Sequence, residues 1–345
     1  MVLYTDLITP DELSGYARAS FADYERAKGT LARWLPYREV DGIVARFVIG
    51  QSGLIDAAKF RAYDAPPEVG KRRAVQRRSL ELPALGQDIP VTEYEQLRAG
   101  GGTITDQRAL QTILETTDIV VRSVSEALEK MRGVVLRTGV ATIAQSNFTN
   151  ADDFGRSGSM NITAGTVFTN VAADVIGQLQ TWYDAYETLN GVPPGAILTS
   201  TRVLRLIAST NQFQLTLVGG AQRRASQADV AAVLDAEGLP PIYTYNRSVQ
   251  TDGVSAKVIA DDIVLMLPAP VDVNDFNGTE LGGTFIGRTL TSMDPDWGIA
   301  ADEQPGIVAG VYKHAKPPMG LEVISDAIGM PVLANANLAM AIDVA

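Results

Sequence analysis

His314 is the only histidine in 345 residues, and the chain has no cysteine. A Ser-His-Asp arrangement therefore has one conceivable base, standing between lysines in VYKHAKPP, and a multi-histidine metal site has none. A surface strand residue is the simpler account of His314. Disulfides, zinc-thiolate sites and thiol nucleophiles are excluded. Two glycine signals fall short of phosphate cradles. GGGT at 100–103 has Thr105 where the third glycine of Gly-x-Gly-x-x-Gly belongs, and the Gly70-Lys71 pair is followed by Arg72, with Ala65 in place of a phosphate loop's first glycine. Both read better as joints. The acid pairs Asp152/Asp153, Asp261/Asp262 and Asp294/Asp296 sit in turn-like text, where Asp bonds to nearby backbone, a divalent ion being the alternative use. Trp34, Trp182 and Trp297 are scattered, which suits core or interface anchors and gives no stacking platform for bases. The residues assemble no catalytic constellation, so no enzyme, cofactor or metal site is expected.

Charge is the chemistry that remains. Against 29 basic and 40 acidic side chains, a net charge of -11, the run Lys71, Arg72, Arg73, Arg77 and Arg78 carries no intervening acid. So acidic a chain is not a dedicated nucleic-acid binder, which needs a broad positive face. Apolar residues at 46% and charged ones at 20% predict a packed core, and the length suggests two domains. The acids of MVLYTDLITPDEL do not suit a signal peptide, and no apolar run approaches the roughly 18 residues of a membrane span. A soluble product made in a cytoplasm is expected, with no membrane partner.

The elements that must carry this charge can be read from period and punctuation. TPDELSGYARASFADYERAKG predicts a helix opened by Thr9 with Pro10 at its first position. From Phe47 to Gly100 the breakers APPEVG, LPALGQDIPV and RAGGGT recur, and no helical period survives. That stretch far exceeds the ~12–15 residues at which loops become unusual, yet it is too aliphatic for a disordered linker, so another molecule is expected to complete it. Next, Leu110, Ile113, Leu114, Thr117, Val120, Val121, Val124, Leu128, Met131 and Val135 follow the spacing of a helix with one buried stripe. Asp118, Arg122, Glu126 and Lys130, four apart and alternating in sign, form its charged face, each pair contributing ~0.3 kcal/mol. Thr105 or Asp106 caps its start and Gly139 follows its end, and the rod is about 42 Å long. Residues 134–168 read as a hairpin around the turn-rich SNFTNADDFGRSG. Alternating helices and strands follow, and the chain ends in a strand that a sheet should use.

This order of elements, with RSLELPALGQDIPV leading through a glycine-rich joint into the long helix and the apolar close IGMPVLANANLAMAIDVA, resembles the major capsid proteins of tailed phages, in particular the lambda-type branch called major capsid protein E. The resemblance covers nearly the whole chain in element order. It implies an α+β chain with the Hong Kong 97-type phage capsid fold. Residues 1–45 would be an N-terminal arm and 46–100 an extended β-hairpin loop. Residues 101–166 with 305–335 would form a peripheral domain carrying a spine helix over 105–136, and 167–304 with 336–345 an α/β axial domain.

The function implied is structural: self-assembly into hexamers and pentamers of an icosahedral head enclosing double-stranded DNA. Partners would be other copies of the chain, a scaffolding protein, a portal protein and, as an option, a decoration protein, with packaged DNA touched only non-specifically. The location would be the virion capsid, assembled in the host cytoplasm. Lys71, Arg72, Arg73, Val75, Arg77, Arg78, Leu80 and Leu82 would be inter-subunit contacts of the loop. Laid on an acidic neighbour, the ribbon would steer and register subunits. The other uses are packaged DNA and a solvated patch without a partner. Some relatives join a loop Lys to a neighbour's Asn, and Lys59, Lys71, Asn335 and Asn337 are of those types, as chance pairs in any such sequence are. The rival functions are an encapsulin-type shell around an enzyme and an α/β hydrolase with an unrecognised site.

Overall fold

A computed structural model describes residues 2–49, 76–100, 106–145, 148–216, 222–314 and 316–345. In chain order the elements begin with β1 (Val2–Leu3), α1 (Pro10–Lys28), β2 (Tyr37–Glu39) and β3 (Val44–Ile49). Then come β4 (Gln76–Glu81), β5 (Ala84–Val91), α2 (Glu93–Gly100), α3 (Asp106–Thr138), β6 (Val140–Ala144), β7 (Thr149–Asp153) and β8 (Asn161–Thr163). The middle of the chain supplies α4 (Val175–Asn190), β9 (Ala196–Thr199), α5 (Thr201–Ser209), β10 (Leu215–Thr216), β11 (Gln222–Arg223), α6 (Gln227–Ala236) and β12 (Ile242–Thr244). Last are β13 (Ser248–Thr251), β14 (Val254–Lys257), β15 (Ile263–Leu267), β16 (Gly282–Ile286), α7 (Leu290–Met293), β17 (Val308–Lys313), β18 (Leu321–Leu333) and β19 (Met340–Asp343).

Local chemistry explains most boundaries. Thr9 caps α1 through a reciprocal box with Glu12, and Pro10 takes the first helical position. Ser200 caps α5, and Ser226 caps α6 in a box with Asp229. Gly191, left-handed at φ 72°, closes α4. At its C-terminus α3 is ended by Gly139 at φ 76°, whose N–H bonds to Val135 O at 2.9 Å. Its 33 residues make a rod of about 50 Å. No helix among the described residues is long and apolar enough to cross a membrane.

Two sequence expectations need correction. The hairpin exists, but with other strands: β6 pairs antiparallel with β7, from Val140↔Asp153 to Ala144↔Thr149. Its second strand is the Asn- and Asp-rich text that reads as a turn, whereas β8 joins a different sheet. Propensity does not mark β7 because its half-buried positions are Asn150 and Asp152, hydrogen-bonded to each other at 2.7 Å, so the strand shows no apolar alternation. The stretch from Phe47 to Gly100 is also not devoid of compact structure. β5 pairs with β18 over its whole length, Ala84↔Ile328 to Val91↔Leu321, and α2 opens on a Thr92–Glu95 capping box. Pro83 and Pro90 disguise the strand as loop, yet an edge strand tolerates proline on its unpaired side.

The chain divides into two compact units, the first being Met1–Ala45, Ser79–Arg132 and Gly283–Pro331. Its sheet runs β1-β17-β18-β16-β2, with β5 also on β18. The first half of β18 lies between β17 and β5, so Val323 is opposite both Val311 and Ile89. Alternation then sorts the faces. Val91, Ala309, Val311, Leu321, Val323 and Ala327 pack under α1 and α3, against Leu13, Ala17, Ile113, Val120, Val121, Val124 and Leu128. Each fully buried Val or Leu contributes roughly 1.5–3 kcal/mol. The other face carries a small cluster in which the edge of the Trp297 indole abuts Gly310, where any Cβ would strike the ring.

The second unit is Arg46–Arg78, Gly133–Gly282 and Val332–Ala345. Its sheet runs β12-β9-β15-β19-β8, with the outer pairs parallel and the inner ones antiparallel. All five residues of β15 are buried, the pattern of a strand covered on both faces. The closing strand β19 lies between β15 and β8, the place in a sheet that the sequence pattern requires. Trp182 stacks on Phe168, with ring centroids 6.1 Å apart, and both are buried.

Candidate functional site

The basic ribbon enters the described residues at β4. Lys71, Arg72, Arg73 and Val75 lie outside them, as do Lys59 and both glycine joints except Gly100. Arg77 and Arg78 are exposed, and the Arg78 guanidinium donates to the backbone carbonyl of Asp153. Leu80 is half-buried, and Leu82 is only 6% exposed, its N–H bonded to Ile43 O at 2.8 Å. Of the loop residues singled out from sequence, Leu82 thus has its apolar surface buried within its own chain, while Arg77 keeps its charge in solvent.

β5 continues this text with one side in the core and one side out. Leu85, Ile89 and Val91 face the helices, while Gly86 and Asp88 share the outward face with Tyr312, His314, Glu322, Ile324 and Asp326. A groove of about 510 Å³ lies there, lined by Asp88, Trp297, Tyr312, Ile324 and Asp326 among others. Asp88, Glu322 and His314 form a diagonal row across three neighbouring strands. His314 Nε2 lies 2.6 Å from Glu322 Oε1, so the lone histidine is a partly exposed strand-end residue with a carboxylate partner. Glu322 Oε2 is buried without a hydrogen-bond partner. Partial burial first, and then the Glu322 charge, raise the Asp88 carboxyl above the ordinary range, with His314 opposing the shift.

The long helix carries its charged row against a neighbour. Asp118 accepts a hydrogen bond from Ser20 at 2.6 Å, Glu126 accepts one from the Tyr24 hydroxyl, and Arg122 sits 5.6 Å from the centroid of the Tyr24 ring. Lys130 is exposed. Three of the four residues thus touch α1, an arrangement that intrahelical spacing alone does not reveal. Burial, reinforced by a hydrogen bond to Asp118, raises the Tyr16 phenol beside this row.

Sequence reasoning misses the largest fully buried polar side chain of the first unit. Arg132 of α3 has no exposed surface, and its Nη1 lies 2.8 Å from Glu25 Oε1, 2.8 Å from Glu129 Oε2 and 3.0 Å from Thr30 Oγ1. Its Nε donates to Thr284 Oγ1 at 3.0 Å, and the Tyr37 ring lies under the guanidinium at 4.7 Å. Burial alone would lower the Arg132 pKa, but Tyr37, Glu25 and Glu129 outweigh it and hold the group well above its ordinary value. The Tyr37 hydroxyl donates to Glu25 at 2.7 Å, and burial pushes that phenol well up. Glu129 and Arg132, three apart on a helix, are a visible hint; Glu25, Tyr37 and Thr284 come from distant sequence.

The second unit has a half-buried guanidinium of its own. Arg156 donates to the carbonyls of Leu136 at 2.6 Å, Arg137 at 2.8 Å and Val135 at 3.3 Å, and so covers the C-terminal end of α3. Burial lowers its pKa to about 10. Of the acid pairs, Asp294 accepts from Asp296 N–H as a turn residue does, whereas Asp152 and Asp153 lie in strand β7, where Asp153, its last residue, accepts from Gly155 N–H, and Asp261 offers only its backbone carbonyl, to Ser200 Oγ. No group of three His, Asp or Glu able to hold a metal occurs among the described residues. Asn337 Oδ1 accepts from Ser157 N–H at 2.8 Å and Asn335 caps the short turn that follows it, so both asparagines have local structural work.

Comparison with known proteins agrees with this architecture. Across 98% of this chain and 99% of the other, the fold is similar to that of a prophage protein of Escherichia coli CFT073 assigned as its capsid protein, with a TM-score of 0.63 and 12% identity. A phage-related protein of Bordetella bronchiseptica RB50 is similar over 96% of this chain and 95% of its own, with a TM-score of 0.54 and 13% identity. No curated protein matches the sequence. The sequence pattern of one family, described as phage major capsid protein E, matches residues 47–276. With about two thirds of its length under that match, the chain belongs to the phage major capsid protein E family.

Proposed function

We propose that the chain, a structural capsid protein by family, closes with many copies of itself into an icosahedral head of hexamers and pentamers around double-stranded DNA. Assembly takes place in the host cytoplasm, with a scaffolding protein, a portal protein and an optional decoration protein as partners. The family match carries this reading. Residues 101–166 with 305–335 act as the peripheral domain and 167–304 with 336–345 as the axial domain, functional divisions that differ from the two compact units. Arg77, Arg78 and the basic residues before them are the loop's inter-subunit contacts, with Leu80 beside them, and the α3 row of Asp118, Arg122, Glu126 and Lys130 is a charged flank braced by α1. A closed shell engages each subunit several times, so modest contacts add to a durable assembly.

Negative-stain microscopy of the purified protein tests the reading: shells or rings are expected, and discrete small particles at every concentration would sink it. The absorbance ratio of particles isolated from infected cells then separates a genome container, rich in nucleic acid, from a shell around protein cargo.

A further inference from the structure

Acids are unevenly spread along the chain. From Thr188 to Ala228 the sequence carries four arginines and no acid, although the whole has 40 acidic side chains. The fold gathers those arginines in the second unit. Val203, Leu204, Ile207 and Ala208 bury one side of α5, which leaves Arg202 and Arg205, one turn apart, on its exposed side. The Arg224 guanidinium donates to the backbone carbonyl of Arg205, so a third exposed cation is moored beside the first two. Arg223 adjoins it and has a counter-charge, Asp229 at 3.2 Å, whereas the side chains of Arg202 and Arg205 have no partner among the described residues. Like charges held this closely repel one another, and a polyanion laid across them relieves the repulsion. Each is an arginine, whose planar guanidinium matches two oxygens of one phosphate better than an ammonium does. Neither α5 nor β11 contains an aromatic residue on which a base could stack, so the face can hold a backbone and read no sequence. The acidic surroundings, in a chain of net charge -11, turn a polyanion away except at such clusters.

We propose that Arg202, Arg205 and Arg224 form a phosphate-binding face for the backbone of double-stranded DNA. The assignment rests on the shell reading above for the source of that DNA, and it names the side chains through which each subunit meets it.

DNA binding can be measured on the full-length protein whether or not it assembles, which keeps this test apart from that of the shell. The anisotropy of a fluorescent duplex of about 30 bp is followed between about 50 and about 200 mM salt, where each phosphate contact contributes about 0.9 to the slope of log K against log salt. R202Q/R205Q/R224Q should lower that slope by roughly 2 to 3 and weaken binding at the lowest salt at least about tenfold, for any duplex sequence, while melting like the parent. R202Q/R205Q, which removes no internal bond, should account for about two thirds of the change. R202K/R205K/R224K keeps the charge and should retain most of the slope. R26Q/K28Q/R137Q removes as much charge from exposed positions elsewhere and should leave the slope nearly as it was. Equal losses in the two triple glutamine variants, or a parent that does not bind the duplex at the lowest salt, overturn the proposal. Polyglutamate that displaces the duplex as well as unlabelled DNA does would assign the face to an acidic protein segment instead. A folded R202Q/R205Q/R224Q that binds DNA like the parent yet forms no shells would assign it to a contact between copies, and either result ends the DNA assignment. A parent that binds DNA through these arginines and never forms shells sinks the shell reading alone.

Discussion

Arg132, fully buried, and Arg156, half-buried, are guanidinium groups associated with the same long helix, one in each compact unit, and they are held by opposite means. Arg132 faces two carboxylates, a phenol and two hydroxyls, a network in which the negative partners outnumber the cation. Arg156 is bonded to helix-end carbonyls and the Asn161 amide oxygen at 3.1 Å, so its charge is met by dipoles alone. The first arrangement fixes α1, α3 and the β2–β16 edge to one another; the second finishes a helix. Removing a guanidinium should therefore do different damage in the two places.

The largest effect is expected for Arg132→Met, which leaves Glu25 and Glu129 buried without their counter-charge. Loss of one partner of a buried ion pair costs ~3–5 kcal/mol, so urea unfolding should show at least that loss or an insoluble product. A variant as stable as the parent would mean that the network is dispensable. Arg156→Met should cost less, ~1–3 kcal/mol, because the carbonyls it uncovers can be partly rehydrated at a helix end. A loss equal to that of Arg132→Met would erase the distinction between ion pairing and dipole capping. The smallest effect is alkaline. Since the folded-state pKa of Tyr37 is raised, the phenol contributes fully below the tyrosine range and its share is lost as pH rises above about 10, where the unfolded chain ionises first. Tyr37→Phe should cost ~1 kcal/mol at neutral pH and show a shallower decline in Tm between about pH 10 and 11 than the parent. Equal slopes would place the alkaline sensitivity elsewhere.

A deletion test of the loop must also respect the sheet. Removing residues 70–90 takes away most of β5, including the core-facing Leu85 and Ile89, and would fail for reasons of folding. Restricted to 71–78, it addresses assembly.

Periodicity carries much of the fold into the sequence. The stripe from Leu110 to Val135 can satisfy only a helix with one buried side, and Thr9-Pro10, Ser200 and Gly191 mark their boundaries because caps are local chemistry. The final strand is readable as well, since its alternation has no use outside a sheet. β5 is obscured because proline reads as a breaker before one knows that the strand is an edge. α2 is obscured by the glycines that follow it, although Thr92 and Glu95 stand at capping-box spacing. The network around Arg132 is hidden because, apart from Glu129 one turn away, its partners Glu25 and Thr284 lie 107 and 152 positions from it on opposite sides in the chain. Of the candidate contacts, the exposure of Arg77 and Arg78 follows from charge, while the burial of Leu82, whose N–H bonds to the Ile43 carbonyl 39 positions earlier, is set by tertiary structure.

The Ser14 hydroxyl meets the backbone of Ala309 across 295 positions of sequence. A ribosome adding about 5–20 residues per second needs roughly 15–60 s to make the later residue after the earlier one. For that interval Leu13 and Ala17 have no β17 to lie on, and α1 waits as a half-greasy helix beside the exit tunnel. The first unit is thus a late-closing body, and a nascent chain offers holdase chaperones a long target before it offers another subunit a finished surface.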